Sequence, residues 1–288
     1  MTALVTLTEE ATAPVQRTRR RSVSLIIGCF LVGFIVAIAL VSFVYLPYSP
    51  NDINGGRLSP PSFAHWAGTD MLGRDLLTQL MIGARIALAA GFGSVLIGGT
   101  LGILLGLSAA FANRWLDDSL SALLDILIAF PTLLLAMLVI AAQGASLGSA
   151  IVAIGLAMSA VVARLTRILT KRVLAQDYIT ASRTSGTSWL GVITSHILPN
   201  IWPTVSVNLA LQFGLAVLAE ASLSYLGLGA PPPNASWGRM LQEAQGTVYT
   251  SPLGAILPGI LLVMLVLGVN LIADGLRDIG DPTQRRRR

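Results

Sequence analysis

The sequence predicts an all-α polytopic membrane protein with six transmembrane helices and one long polar loop between the fourth and the fifth. Three observations carry that prediction. Hydrophobic residues make up 54% of the 288 positions and charged residues 11%, against roughly 25% charged residues in an ordinary soluble domain. Apolar runs at 23–46, 86–112, 119–142, 145–163, 201–228 and 253–273 are each long enough to cross a hydrocarbon core of about 30 Å at about 1.5 Å per residue. The positive charges then sort by side. With the amino terminus inside, Arg17, Arg19, Arg20, Arg21, Arg114, Arg164, Arg167, Lys171, Arg172, Arg183, Arg277 and Arg285 to Arg288 are internal, 15 of the 19, and only Arg57, Arg74, Arg85 and Arg239 are external. Positive side chains favour the cytoplasmic face, so both termini and the loop at 164–200 are expected inside.

Residues 1–22 are polar, lack periodicity and end in the arginine cluster, which reads as a flexible basic tail. The run at 23–46 holds no charge and exceeds the roughly 7–15 apolar residues of a signal peptide, so it reads as an uncleaved first span. Its Cys29 is the single cysteine, which leaves no disulfide framework and no cysteine metal site. One membrane domain at 23–274, with a second basic tail at 275–288, is the expected organisation.

The external segment at 47–79 is rich in Pro, Gly, Asn and Ser, and Met71, Leu72, Leu76, Leu77 and Leu80 recur at helical spacing. That pattern predicts a short amphipathic helix at the outer interface. His65 stands alone and reads as polar surface. In the second run Gly98, Gly102 and Gly106 share one helix face, where small residues let backbones approach closely in lipid, either within this chain or against a sister subunit.

Asp125 and Pro131 interrupt the third run. A carboxylate costs about 2.5–3.5 kcal/mol at the bilayer centre, but Asp125 lies only about 9 Å from the inner end of its run, within reach of water, a backbone donor or Arg114. Pro131 is expected to kink the span. Glu220 of the fifth run lies about 28 Å along, close to the outer interface, where ionisation is cheap. With Ser222 it is a candidate for an outer gate or cavity, or for helix packing.

The polar loop at 176–200, QDYITASRTSGTSWLGVITSHILPN, is the most patterned stretch of the chain. Asp177 is placed to cap a helical turn, Gly186 to break it, Ser188 to restart it and Pro199 to end it. Two short helices on the membrane surface are expected.

This loop resembles the cytoplasmic "EAA" loop of binding-protein-dependent ABC importers. Thr180-Ala181-Ser182, Gly186 and His196-Ile197-Leu198-Pro199 fall on its positions, with Thr180 where the family has Glu and Ser182 where it has Ala. Gly68-Thr69-Asp70, Leu72-Gly73-Arg74-Asp75, Gly83-Ala84-Arg85, the run from Phe130 to Ala136, the run from Glu220 to Gly229 with Ser236-Trp237-Gly238, and Asn270 with Asp274-Gly275-Leu276-Arg277-Asp278 are similar to the dipeptide, oligopeptide and nickel group of permeases. The resemblance implies the type I ABC importer fold in a bacterial inner membrane. It implies a sister permease, two ATPase subunits that bind ATP and Mg, an extracytoplasmic substrate-binding protein and surrounding lipid, with no nucleic acid and no cofactor in this chain. It also implies that Asp177, Tyr178, Thr180, Ala181, Ser182, Gly186, Trp189, His196, Leu198 and Pro199 form the ATPase-coupling loop. Di- and oligopeptides are the favoured substrates; nickel complexes, glutathione and haem, carried by similar permeases, stay open.

The residues themselves limit the energy source. A P-loop needs Gly-Lys-Ser/Thr, and the only lysine, Lys171, follows Thr170. The chain therefore reads as a transport subunit and not an enzyme. An ion-coupled transporter using Asp125 and Glu220 is the alternative, and it leaves the loop unexplained. An intramembrane enzyme fits worse, because His65 and His196 fall on opposite sides of the membrane.

Overall fold

Helix boundaries in the computed structural model, which describes residues 23–231 and 234–280, follow the capping chemistry of the sequence. Arg17 to Arg21, Pro232, Pro233, Asp281, Pro282 and Arg285 to Arg288 lie outside the described residues. Helix α1 (Val23–Val44) is a charge-free span. Helix α2 (Leu76–Phe111) starts at Asp75, whose carboxylate accepts the Thr78 amide at 2.8 Å and the Thr78 hydroxyl at 2.9 Å.

From there α2 runs 36 residues without a break. The separate interfacial helix is thereby corrected. Met71 and Leu72 lie in turns before the cap, and Leu76 and Leu80 are the buried first turns of α2, 3% and 5% exposed. Helical spacing alone cannot tell a surface helix from the end of a longer buried one.

Helix α3 (Arg114–Ala129) is capped by Asn113 and is followed by α4 (Thr132–Gln143). The two are bent by 92°, a break where a kink was expected. Phe130 (φ −74°, ψ 133°) and Pro131 (φ −57°, ψ 123°) are consecutive extended residues, because the proline ring excludes helical geometry from the residue before it. Among the described residues, five helices are long and apolar enough to cross a membrane, and the bent pair makes a sixth if it is counted as one span.

Helix α5 (Leu147–Leu174), capped by Ser146, extends eleven residues past the expected end of its run at 163. It lies along α2, and the glycine ladder is the seam. A Cβ at Gly98 would fall 2.8 Å from the Gly155 carbonyl oxygen, one at Gly102 2.8 Å from that of Ser159, and one at Gly106 2.5 Å from that of Ala163. Gly106→Val is expected to lower the stability of the purified protein by about 1–3 kcal/mol, the cost of overpacking. Thermal unfolding checks this, with Gly33→Val as control, since a Cβ there meets nothing within 4 Å.

The polar loop folds as α6 (Asp177–Thr184), α7 (Trp189–Val192) and a π turn (Ile193–Ile197) that passes directly into α8 (Leu198–Tyr225). Pro199 therefore does not end a helix. It sits in the first turn of α8, where a missing N–H costs least, and the wider π turn before it relieves the clash of its ring with the preceding turn. The second surface helix is the foot of a membrane helix. Helix α9 (Trp237–Ala244) and α10 (Leu253–Gly280) complete the fold, so residues 275–280, expected in a tail, continue a helix.

Among the apolar clusters of the described residues, two mark the ends of the bundle. At the loop end, Ile179, Val192, Ile197, Ile201 and Val205 pack with Ile103, Leu107 and Phe111 of α2. Towards the opposite end, α1, α2, α8, α9 and α10 meet around Trp237, which is 1% exposed and donates its indole N–H to the Leu80 carbonyl at 3.0 Å.

Candidate functional site

The polar loop is built as a brace. Ile179 is 3% exposed and roots α6 in the core below. Gly186 ends α6 at φ +90°, a left-handed conformation that only glycine adopts without strain, and its amide donates to the Arg183 carbonyl at 3.0 Å. Ser188 then caps α7 by accepting the Gly191 amide at 3.1 Å.

Polar bonds tie the two arms together. The Ser182 hydroxyl donates to Thr187 Oγ1 at 2.9 Å and lies 3.2 Å from His196 Nε2. Asn200 Nδ2 donates to the Tyr178 hydroxyl at 3.0 Å, and the Tyr178 and His196 rings are 6.0 Å apart. Arg183 donates to the Thr187 carbonyl and lays its guanidinium over Trp189 at 4.2 Å, while Trp189 meets Phe111 of α2 edge-on at 5.2 Å.

Asp177 is corrected in role. It is the first residue of α6, Gln176 holds the cap position without a side-chain bond, and the exposed Asp177 carboxylate complements the helix dipole from the first turn. Thr180 and Ala181 are exposed, and Leu198 is half-buried. The brace leaves Tyr178 and Ala181 of α6, Ser185 at its C-cap, and Trp189 and Leu190 of α7 exposed. Such a strip suits a helix-in-groove contact.

Asp117 is the residue that sequence reasoning passed over. It is 6% exposed in the first turn of α3, accepts Arg167 Nε at 2.6 Å and Nη2 at 2.8 Å, and pairs with Lys171. The available signal was the i, i+4 spacing of Arg167 and Lys171, which puts both cations on one face of α5.

Asp125 pairs with Arg164 at 3.0 Å, with side chains 60% and 53% exposed, and not with Arg114, whose own partner is Asp118 at 3.9 Å. A pair this exposed is worth about 0–1 kcal/mol. Asp125→Asn is expected to shift the thermal unfolding midpoint by no more than that range corresponds to.

Glu220 is corrected in environment. Depth along α8 put it at the interface, yet neighbouring helices leave it 2% exposed, accepting the Ser224 hydroxyl at 2.6 Å. Ser222 is exposed and donates to the Leu218 carbonyl at 2.8 Å. It lines an open groove of about 370 Å³ with Thr132, Met158 and Gln212, and Glu220 is not in that lining. His65 is held 3.0 Å from Asp75 Oδ1 and against the Tyr48 ring, so it is a fixed part of the segment before α2 and not free surface. Among the described residues no group of three or more His, Cys, Asp or Glu is placed to hold a metal.

Comparisons with known proteins agree with this geometry. Residues 98–286 match the family described as "Binding-protein-dependent transport system inner membrane component". The glutathione transport system permease protein GsiD of Pectobacterium atrosepticum is 38% identical over 93% of this chain and 89% of its own length. The dipeptide transport system permease protein DppC of Alkalihalophilus pseudofirmus is 38% identical over 91% of this chain and 84% of its own.

Among solved structures, an inward-facing MetNI methionine ABC transporter aligns with TM-score 0.60 at 22% identity, over 70% of this chain and 97% of that one. At that identity the likeness shows the fold, which is that of a type I ABC importer permease. The chain thus belongs to the family of binding-protein-dependent transport system inner membrane components, a multi-pass permease subunit of an ABC importer.

Proposed function

We propose that this permease imports short peptides, pairing with a sister permease and two ATPase subunits and receiving substrate from an extracytoplasmic binding protein. Its membrane domain is 23–274, with both termini and the polar loop in the cytoplasm. The ATPase subunits bind ATP and Mg, and this chain supplies half of the pathway and a coupling surface. The observation that carries the reading is the braced loop, whose exposed strip from Tyr178 to Leu190 stands on a buried apolar root continuous with α2, α5 and α8. The dipeptide and glutathione names of the relatives support a peptide substrate, since glutathione is itself a tripeptide.

ATP binding closes the ATPase dimer, displaces the loop seated in its groove, and α8 follows because no break separates it from α7. Ser182, Thr187, His196 and Asn200 keep the loop rigid enough to carry that displacement. Thr180, exposed where the family has Glu, contributes a hydroxyl to the ATPase groove instead of a charge. The test is uptake of labelled dipeptide into proteoliposomes holding the complete complex, with and without ATP. Uptake that requires ATP and every partner supports the reading; uptake by this chain alone on a proton gradient refutes it in favour of Asp125 and Glu220.

A further inference from the structure

An arginine stands between two membrane helices without an acid beside it. Arg85 is the tenth residue of α2 and is part-buried against the end of α1. Its Nε donates to the Ser42 hydroxyl, and its guanidinium lies over the Phe43 ring, 4.1 Å from the centroid. Ser42 is buried and donates its own proton to the Ala39 carbonyl at 2.6 Å, so the seat is fixed.

A guanidinium is always charged and carries five N–H donors. One is used here, and a hydroxyl and a ring bring no negative charge. Among the described residues no carboxylate pairs with Arg85 and no acceptor meets its Nη groups. The seat therefore holds an uncompensated positive charge and an unused planar fork, the shape that takes a phosphate through two parallel hydrogen bonds.

The level of the seat in the membrane says which phosphate. Helix α1 has 22 residues and no charge, a length of about 33 Å, which matches a hydrocarbon core of about 30 Å. Ser42 and Phe43 are two residues and one residue short of its end, so the guanidinium stands where hydrocarbon gives way to headgroups. Only Gly28, Ile35, Ala39 and Ser42 of α1 are buried, a single stripe. Leu40, Phe43 and Val44 beside the seat are exposed, and so is Tyr45 just past the helix, at the depth where aromatic side chains collect in membrane proteins. Apolar surface for acyl chains thus adjoins a cation at headgroup depth.

We propose that Arg85 binds the phosphodiester of one anionic phospholipid, in the leaflet at the carboxyl end of α1, with an acyl chain laid along Leu40 and Val44. An anionic lipid is favoured over a zwitterionic one because it brings no ammonium of its own to compete with the arginine for the phosphate. The assignment holds for either orientation of the chain in the bilayer.

The complete complex, reconstituted in nanodiscs, is exposed to a phosphatidylglycerol probe with a photoreactive group at the top of one acyl chain. Label on residues 40–45 is read by peptide mass spectrometry as a ratio to label on the exposed Ile260, Val263 and Leu267 of α10. Arg85→Gln is expected to lower that ratio about tenfold, and Arg85→Lys, which keeps the charge but loses the fork, about threefold. A diacylglycerol probe with the same chains and no phosphate is expected to give the same ratio in all three proteins. In wild type, unlabelled phosphatidylglycerol is expected to displace the label, and diacylglycerol and inorganic phosphate are not.

Equal phosphatidylglycerol label in wild type and Arg85→Gln overturns the site. A fall with both probes does so too, since it means that α1 has moved and the arginine only packs it. Displacement by inorganic phosphate makes the seat one for a free anion, and a folded Arg85→Gln chain that no longer holds its partner subunits makes the missing anion a protein carboxylate; either result refutes the lipid. If neither variant folds, the displacement series on wild type still decides.

Discussion

Replacing Gly186 by proline is expected to cut ATP-dependent peptide uptake about a hundredfold, within the 1–3 kcal/mol typical of coupling between distant sites. Proline fixes φ near about −65°, whereas Gly186 sits at +90° and donates its amide to the Arg183 carbonyl. The substitution must swing α7 relative to α6, which pulls Trp189 off Phe111 and separates Ser182 from Thr187. A Cβ at 186 meets nothing within 4 Å, so the damage is conformational and enters through the loop. Uptake and retention of the ATPase subunits on affinity-purified complex, measured side by side, check the prediction. Gly186→Ala, which fits the space but not the φ, should fall between. Wild-type uptake by the proline variant removes the loop from the coupling path.

The second large effect is at Asp117. Asp117→Ala leaves Arg167, with its side chain 20% exposed, without its two-bond anion, while Lys171, 41% exposed, turns to water; a loss of about 1–3 kcal/mol follows for the broken charge-assisted bonds. Thermal unfolding of the purified complex should report it as a marked drop in midpoint. Asp118→Ala next door removes a carboxylate whose side chain is 71% exposed and whose partner is 3.9 Å away, and should cost no more than about 0.5 kcal/mol. Equal effects at the two positions would mean that the α3–α5 clamp does not hold the loop end together.

Much of this was legible in the sequence because each signal was local. The charge-free run of α1, the capping Ser188 and the chain break at Gly186 depend on a few neighbouring residues, and the family matches ran in register along the chain. What escaped depended on neighbours distant in sequence. The depth of Glu220 follows from counting residues, but its 2% exposure follows from the helices around it. The Asp117 clamp joins residues 50 and 54 positions apart, and no local pattern names that pair. Pro131 announced a disturbance without its size, because one extended residue kinks a helix and two in succession at Phe130 and Pro131 turn the corner. Pro199 misled for a related reason: the rule against proline inside a helix does not hold in a first turn preceded by a π turn.

The uninterrupted passage from α7 through the π turn into α8 makes 37 residues one member, about 55 Å long. A rod of that length has leverage: a tilt of about 5° at its foot gives a stroke of about 5 Å at its tip. Pro203 near the foot and the π turn are its points of compliance, so stiffness there sets how much of each push is delivered and how much is absorbed as bending. The far tip carries Glu220 and Ser224, joined side chain to side chain and buried. A buried, hydrogen-bonded side chain at the end of a lever has to leave its packing before that end can move, so the cost of unseating it adds to the cost of any large tilt.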